Sequence, residues 1–135
     1  MRFVANISIL SLAVFASVWP APAHHSFSAE YDADKPVQIA GVVTKVEWMN
    51  PHARFYVDVK DDQGSNVNWN IELGPPVILQ RLGWRHDSLK TGDQVSVEGY
   101  SAKDGSKSAN AKKVTLADGR SVFAGSQAEG GKPSQ

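Results

Sequence analysis

Val37-Gln38-Ile39-Ala40-Gly41-Val42-Val43-Thr44-Lys45-Val46-Glu47-Trp48 has the alternation of a strand, but the alternation changes phase part-way. Val37 and Ile39 fall on one side, Val42, Val46 and Trp48 on the other, and Gly41 stands at the change. A glycine at a change of phase marks a β-bulge in a long, bent strand. Asn50-Pro51 then breaks the run.

The segments that follow have the same period. Ala53, Phe55, Val57 and Val59 alternate with Arg54, Tyr56, Asp58 and Lys60, the pattern of a half-buried strand. Asp61-Asp62-Gln63-Gly64 reads as a hairpin loop, and the return strand puts Val67, Trp69 and Ile71 inward with Asn66, Asn68 and Asn70 outward. Trp48 and Trp69 are expected in the core. Pro75-Pro76 suits the start of a short helix, with Ile78 and Leu82 one turn apart, Gly83 as a left-handed cap and Trp84 folding back. Val95 and Val97 point inward on a fourth strand, and Ala109–Leu116 makes a fifth. Asp118-Gly119 signals a type I′ hairpin into a short stub, Ser121-Val122-Phe123. This order, three strands, a helix and two strands, matches an all-β fold: a small five-stranded Greek-key barrel of the oligonucleotide/oligosaccharide-binding (OB) type. An open antiparallel sandwich is the alternative.

Residues 1–23 read as a cleaved export signal. Arg2 supplies the charge, an apolar stretch runs from Ile7 to Trp19, and Ala21-Pro22-Ala23 gives the small-x-small cleavage pattern. The stretch is short of the roughly 20 residues that span a bilayer, so no membrane span is expected and the destination is the periplasm. The remaining chain divides into a lead-in, 24–36, a barrel domain, 37–124, and a tail, 125–135, whose Gly/Ser/Lys-rich composition predicts disorder. The chain has 14 basic and 14 acidic residues, and losing Arg2 with the signal leaves 13 against 14. That balance argues against nucleic acid as a partner. There is no cysteine, which excludes disulfides, thiolate metal sites, covalent haem attachment and thiol chemistry.

An ordered set of short motifs carries a resemblance. The run Ala23-His24-His25-Ser26-Phe27 is followed by Glu30-Tyr31-Asp32, Lys45-Val46-Glu47-Trp48, Asn50-Pro51-His52, Gly83-Trp84, Gly92–Tyr100 and Ala109-Asn110-Ala111, and then by Leu116–Arg120. Together they resemble a family of small exported bacterial proteins catalogued only as a domain of unknown function. The resemblance covers nearly all of the chain from the expected cleavage point to about Gly125, and implies export and a small β-barrel. It brings no activity, substrate or catalytic residue with it. The family pattern carries an aromatic after Asn-Pro-His, where this chain has Ala53-Arg54.

Cleavage after Ala23 exposes a histidine amine. His24 then offers two nitrogen donors, its α-amine and its imidazole, and His25 stands beside it. Neighbouring residues in an extended segment point to opposite faces, so His24 and His25 do not easily share one metal through their rings. A third nitrogen from His52 completes a T-shaped site suited to copper, with His25 assisting. The candidate metal ligands are therefore His24, His25 and His52, and copper is the candidate cofactor. The bland alternative is a polar terminus and a turn histidine. No His-x-x-x-His spacing, Gly-x-Ser-x-Gly elbow or phosphate loop is present. His86-Asp87 reads as a local turn, Asp61-Asp62 as a solvated loop, and Tyr56, Tyr100 and Arg54 as an outward, ligand-stacking face. The preferred reading is a binding protein. A structural or interaction module binding a peptide, glycan or envelope protein on the barrel face is the alternative, and a copper oxidase is the one enzymatic reading considered. The first expected outcome is a mature protein beginning at His24. Intact mass spectrometry of protein recovered from the periplasm checks it, and retention of Met1–Ala23 would remove both export and the metal site.

Overall fold

The computed structural model describes residues 26–126; the expected signal, His24, His25 and the tail beyond Ser126 lie outside the described residues. In chain order the elements are α1 (Phe27–Glu30), β1 (Tyr31–Glu47), β2 (Arg54–Lys60), β3 (Asn66–Glu72), α2 (Pro76–Arg81), β4 (Gln94–Ala102), β5 (Ser108–Thr115) and β6 (Ser121–Phe123). The strands lie in the order β3-β2-β1-β4-β5-β6, and a parallel pairing of β3 with β5 joins the sheet to itself. β1 runs for 17 residues because it serves two neighbours. Pro36–Val42 pairs with β4, and Val42–Glu47 pairs with β2. A shared long first strand, a helix between β3 and β4 and a parallel closure define the OB barrel. β3 takes the first half of the remaining edge of β5, from Ser108 to Asn110, and β6 takes the second, from Lys113 to Thr115. The expected stub is thus a sixth strand, and closure leaves little edge for other chains to pair with. α1 is a second short helix, and β1 begins at Tyr31, inside the expected lead-in.

The bulge sits later in β1 than the sequence pattern suggests. Val43 pairs with Val57 and Lys45 with Tyr56, so Thr44 is the extra residue. Val37, Ile39, Gly41 and Val43 therefore share one face, and Val46 and Trp48 resume it beyond Thr44. Val42 points away and is 38% exposed. Two adjacent valines made either phase readable in the sequence; the contact with β2 decides between them. Gly41 matters for a different reason, since a Cβ there would run into the Asp58 carbonyl oxygen and the Val57 side chain. The absent side chain lets β1 lie against β2 where the barrel bends.

The core follows the alternation elsewhere. Ala53, Phe55, Val57, Ile71, Val95, Val97, Ala109, Ala111 and Val114 are buried, with Leu73, Leu79, Trp84 and Leu89 closing around them. On α2 it is Leu79 that is buried, while Ile78 is partly exposed, because the chain folds back at Gly83 (φ 97°). There the Trp84 N–H donates to the Leu79 carbonyl at 2.9 Å, and the Trp84 indole N–H donates to the Phe123 carbonyl at 2.7 Å. Trp48 and Trp69 are only half-buried, contrary to expectation. Trp48 lies just beyond the end of β1, and the Trp69 ring carries the Lys107 ammonium 5.2 Å from its centre. The turn at Asp118-Gly119 is not type I′, since Gly119 alone takes positive φ; the Gly119 N–H closes it onto Leu116 at 3.0 Å. The ordered chain continues past residue 124, with Gly125 packed on Gly74 and Ser126 buried.

Two substitutions test this packing. Val57→Asp places an unpaired charge in the core, costing several kcal/mol and unfolding so small a domain. Gly41→Ala forces β1 from β2 and is expected to cost about 1–3 kcal/mol. Urea midpoints followed by circular dichroism measure both, and a wild-type midpoint for Gly41→Ala would contradict the close approach.

Candidate functional site

Glu72 ends β3, and its neighbours across the sheet are Arg54 on β2 and Asn110 on β5. Residues opposite one another project on the same side, so the three side chains form a row on the outside of the barrel. The carboxylate is well satisfied. Arg54 Nη2 donates to Oε2 at 2.6 Å, and Asn110 Nδ2 donates to Oε1 at 3.1 Å. Arg54 Nη1 also reaches Asn70 Oδ1 at 3.3 Å. The Ser126 hydroxyl donates to Asn110 Oδ1 at 2.6 Å and so fixes the amide. Glu72 is 6% exposed, and Asn110 and Ser126 are buried with it. Withdrawing a carboxylate from water costs several kcal/mol unless charge and hydrogen bonds replace it, and this row supplies both. Among the described residues no buried side-chain polar atom lacks a hydrogen bond.

His52 joins the row from the loop between β1 and β2. Its Nδ1 lies 3.7 Å from Glu72 Oε1, an ion-pair distance longer than a hydrogen bond. Asn50-Pro51, just before it, is a cis peptide.

The N-terminal segment docks beside the same row. The Phe27 ring stacks on Tyr31 at 5.7 Å and meets Tyr100 edge-on at 5.5 Å. Lys103 holds the segment from below, its N–H on the Glu30 carbonyl at 2.9 Å and its Nζ on the Ser28 carbonyl at 2.6 Å. The Tyr31 hydroxyl is pushed up to about 12 by burial first, then by the negative charge of Glu72, with Glu30 adding to it. Its hydrogen bond with Ser108 and the Arg54 charge oppose the shift. Tyr31, at the start of β1, thus lies within the field of Glu72, which disfavours its ionised form.

The sequence-derived candidates fare differently. His52 is placed against a carboxylate; His24 and His25 lie outside the described residues. Among the described residues no three His, Asp or Glu side chains converge as a metal site. Arg54, Tyr56 and Tyr100 face outward but do not form an open stacking platform. Arg54 is committed to Glu72, Phe27 meets Tyr100, and Tyr56 donates to Glu47 at 3.3 Å beneath the Lys45 ammonium. His86 is exposed in a turn where Arg85 reaches Asp87 at 3.4 Å, and Asp61 caps its own loop through the Gln63 and Ser65 N–H groups. No site role was read for Glu72, Ser126 or Asn110, although Asn110 stands in the Ala109-Asn110-Ala111 motif. The outward alternation Asn66, Asn68, Asn70 points to Glu72 as its next member, but nothing local joins it to a residue 38 positions away.

These observations define an OB-type barrel with a buried ionic row on its side. The chain belongs to the family described as "Family of unknown function (DUF6152)", which matches over residues 11–111. No curated protein sequence matches it. Among solved structures it is similar to the mitochondrial single-stranded DNA binding protein Rim1 of S. cerevisiae. One crystal form gives 17% identity and a TM-score of 0.48 over 61% of this chain and 92% of that one. A second form gives 18% and 0.47 over 61% and 91%. The fold assignment rests on strand order and register.

The Tyr31 shift sets a pH dependence. The folded state holds the phenol above its ordinary value of 10, so this contribution is complete below pH 10 and is lost as pH rises toward about 12. Urea midpoints across that window should fall for the wild type and fall less for Tyr31→Phe; parallel curves would remove Tyr31 from the network.

Proposed function

We propose that this protein is an exported, periplasmic binding protein that takes one copper ion through its mature N-terminal histidine and His52. The observation that carries the reading is the position of His52. Its imidazole Nδ1 lies 3.7 Å from the buried Glu72 carboxylate, whose charge also acts on Tyr31 at the start of β1, where Phe27 of the N-terminal segment stacks. His24 is two residues ahead of Ser26, the first described residue. The His24 amine and imidazole supply two nitrogens, His52 the third, and His25 assists from the neighbouring position. Among the described residues no helix is long and apolar enough to cross a membrane.

Nitrogen donors favour Cu(II) over Zn(II) by the Irving–Williams order. Binding weakens as pH falls, because the amine, about 7.7–8.0 when free, and ordinary imidazoles, about 6.5, must be unprotonated to coordinate. Copper titration of three forms tests the reading: the authentic His24 terminus, a chain with an added N-terminal Met, and His52→Ala. The first is expected to bind one Cu(II) tightly and the other two to lose most of the affinity, with His86→Ala unaffected. Equal binding by all three would exclude the N-terminal site and favour a module that binds a peptide, glycan or protein of the envelope on the barrel face.

A further inference from the structure

We infer that the protein pairs with a second copy of itself along the free stretch of β3, Asn66–Trp69, joining the two barrels into one sheet across a twofold axis. The inference is independent of the metal reading. β5 meets β3 only at Asn70–Glu72, beginning with the Asn70 N–H on the Lys107 carbonyl at 3.0 Å. Backbone groups along a strand aim alternately to its two sides. Those of Asn66 and Asn68 therefore aim the same way as those of Asn70, past the end of β5. On the opposite side, β2 meets β1 only as far as Asp58, which faces Val42. The end of the β2–β3 hairpin thus runs beyond both of its neighbours. Val59, Val67 and Trp69 share its inner face and are only half-buried. Two strands alone are marginal in water, and a further strand on an apolar face is what stabilises them. Asn66-Val67-Asn68-Trp69 also carries none of the lysines, glutamates or prolines that protect an open edge.

Charge selects the occupant and the register. With the copies antiparallel about an axis at Val67, Asn66 meets the partner's Asn68 and Asn68 meets the partner's Asn66, each pair exchanging both of its N–H···O bonds. Val67 meets the partner's Val67 in the closer, non-hydrogen-bonded kind of pair, so the half-buried apolar face continues from one hairpin to the other. The contact is isologous and closes with two copies. Trp69 then stands opposite the partner's Ser65, and the partner's strand ends where β5 begins. This brings the partner's hairpin loop, with its Asp61 and Asp62 carboxylates, beside Lys107, whose ammonium lies 5.2 Å from the Trp69 ring centre. The loop that holds Lys107 carries Lys103 and Lys107 against Asp104 alone, so opposite charges face each other on both sides of the axis. An axis at Trp69 would call on Asn70, whose N–H Lys107 already occupies.

Sedimentation velocity of the natively processed protein over a range of concentrations tests the pairing. The expected result is a weak, reversible dimer, with hydrogen exchange at the Asn66 and Asn68 amides slowing as concentration rises. Asp62 and Lys107 are both exposed, so reversing either charge leaves the barrel folded. Asp62→Lys and Lys107→Glu are each expected to raise the dimer Kd at least about tenfold, because like charges then meet at both ends of the contact. An equal mixture of the two variants is expected to associate as the wild type does, since only the mixed pair sets opposite charges together on both sides of the axis. A wild-type protein that stays monomeric up to millimolar concentration overturns the inference. So does a dimer whose affinity neither reversal changes, or one in which the Asn66 and Asn68 amides exchange as fast as in the monomer. Two weakened variants that fail to rescue each other overturn the twofold register.

Discussion

The ion pair between Glu72 and Arg54, 2.6 Å long and nearly closed to water on the carboxylate side, holds together parts of the chain that share no sequence neighbourhood. It crosses from β3 to β2, extends through Asn110 to β5, and ends on Ser126 at the last described residue. A pair of this kind contributes little net stability against a well-packed apolar alternative, but removing Arg54 leaves the buried Glu72 carboxylate uncompensated, a loss on the order of a few kcal/mol. Its main effect is on specificity. Only one register of β2, β3 and β5 satisfies all of its donors, and that register is the one that closes the barrel.

The geometry of β1 makes the row possible. At Gly41 the first strand lies against β2 with no side chain between them, and at Thr44 one extra residue bends it. The bend lets one strand pair with β4 along its first part and with β2 along its last. β3 can then meet β5 in parallel, which sets Glu72 opposite Asn110. A register slip of one residue would turn the row into the core and the valines to water, so the apolar interior and the ionic exterior enforce the same alignment.

Both ends of the described chain converge on this side of the barrel. The aromatic contacts of Phe27 fix the incoming segment, while Ser126 fixes the outgoing one against Asn110. The Glu72 carboxylate is both shielded and charge-compensated. His52 stands at its edge, with Nδ1 3.7 Å from Oε1. Strand register places Glu72, and the loop between β1 and β2 brings His52 beside it.

Local pattern was enough for the strands of the barrel, the helix before β4, the fold-back of Trp84 and the family. Alternation, turn residues and ordered motifs are properties of neighbours along the chain, and His52 stood out because Asn50-Pro51-His52 is a contiguous motif. The position of the bulge was not legible, because Val42 and Val43 are equally apolar and only the Gly41 approach to Asp58 separates their faces. Nor was the partial exposure of Trp48 and Trp69, which follows from how the barrel closes around them. Glu72, Asn110 and Ser126 read as ordinary polar residues, since a burial cost and its compensation exist only once β3 and β5 are adjacent. The sequence alone determined which residues alternate and where the chain turns; the tertiary structure alone decided which polar side chains share a buried charge, because that energy depends on distance in space.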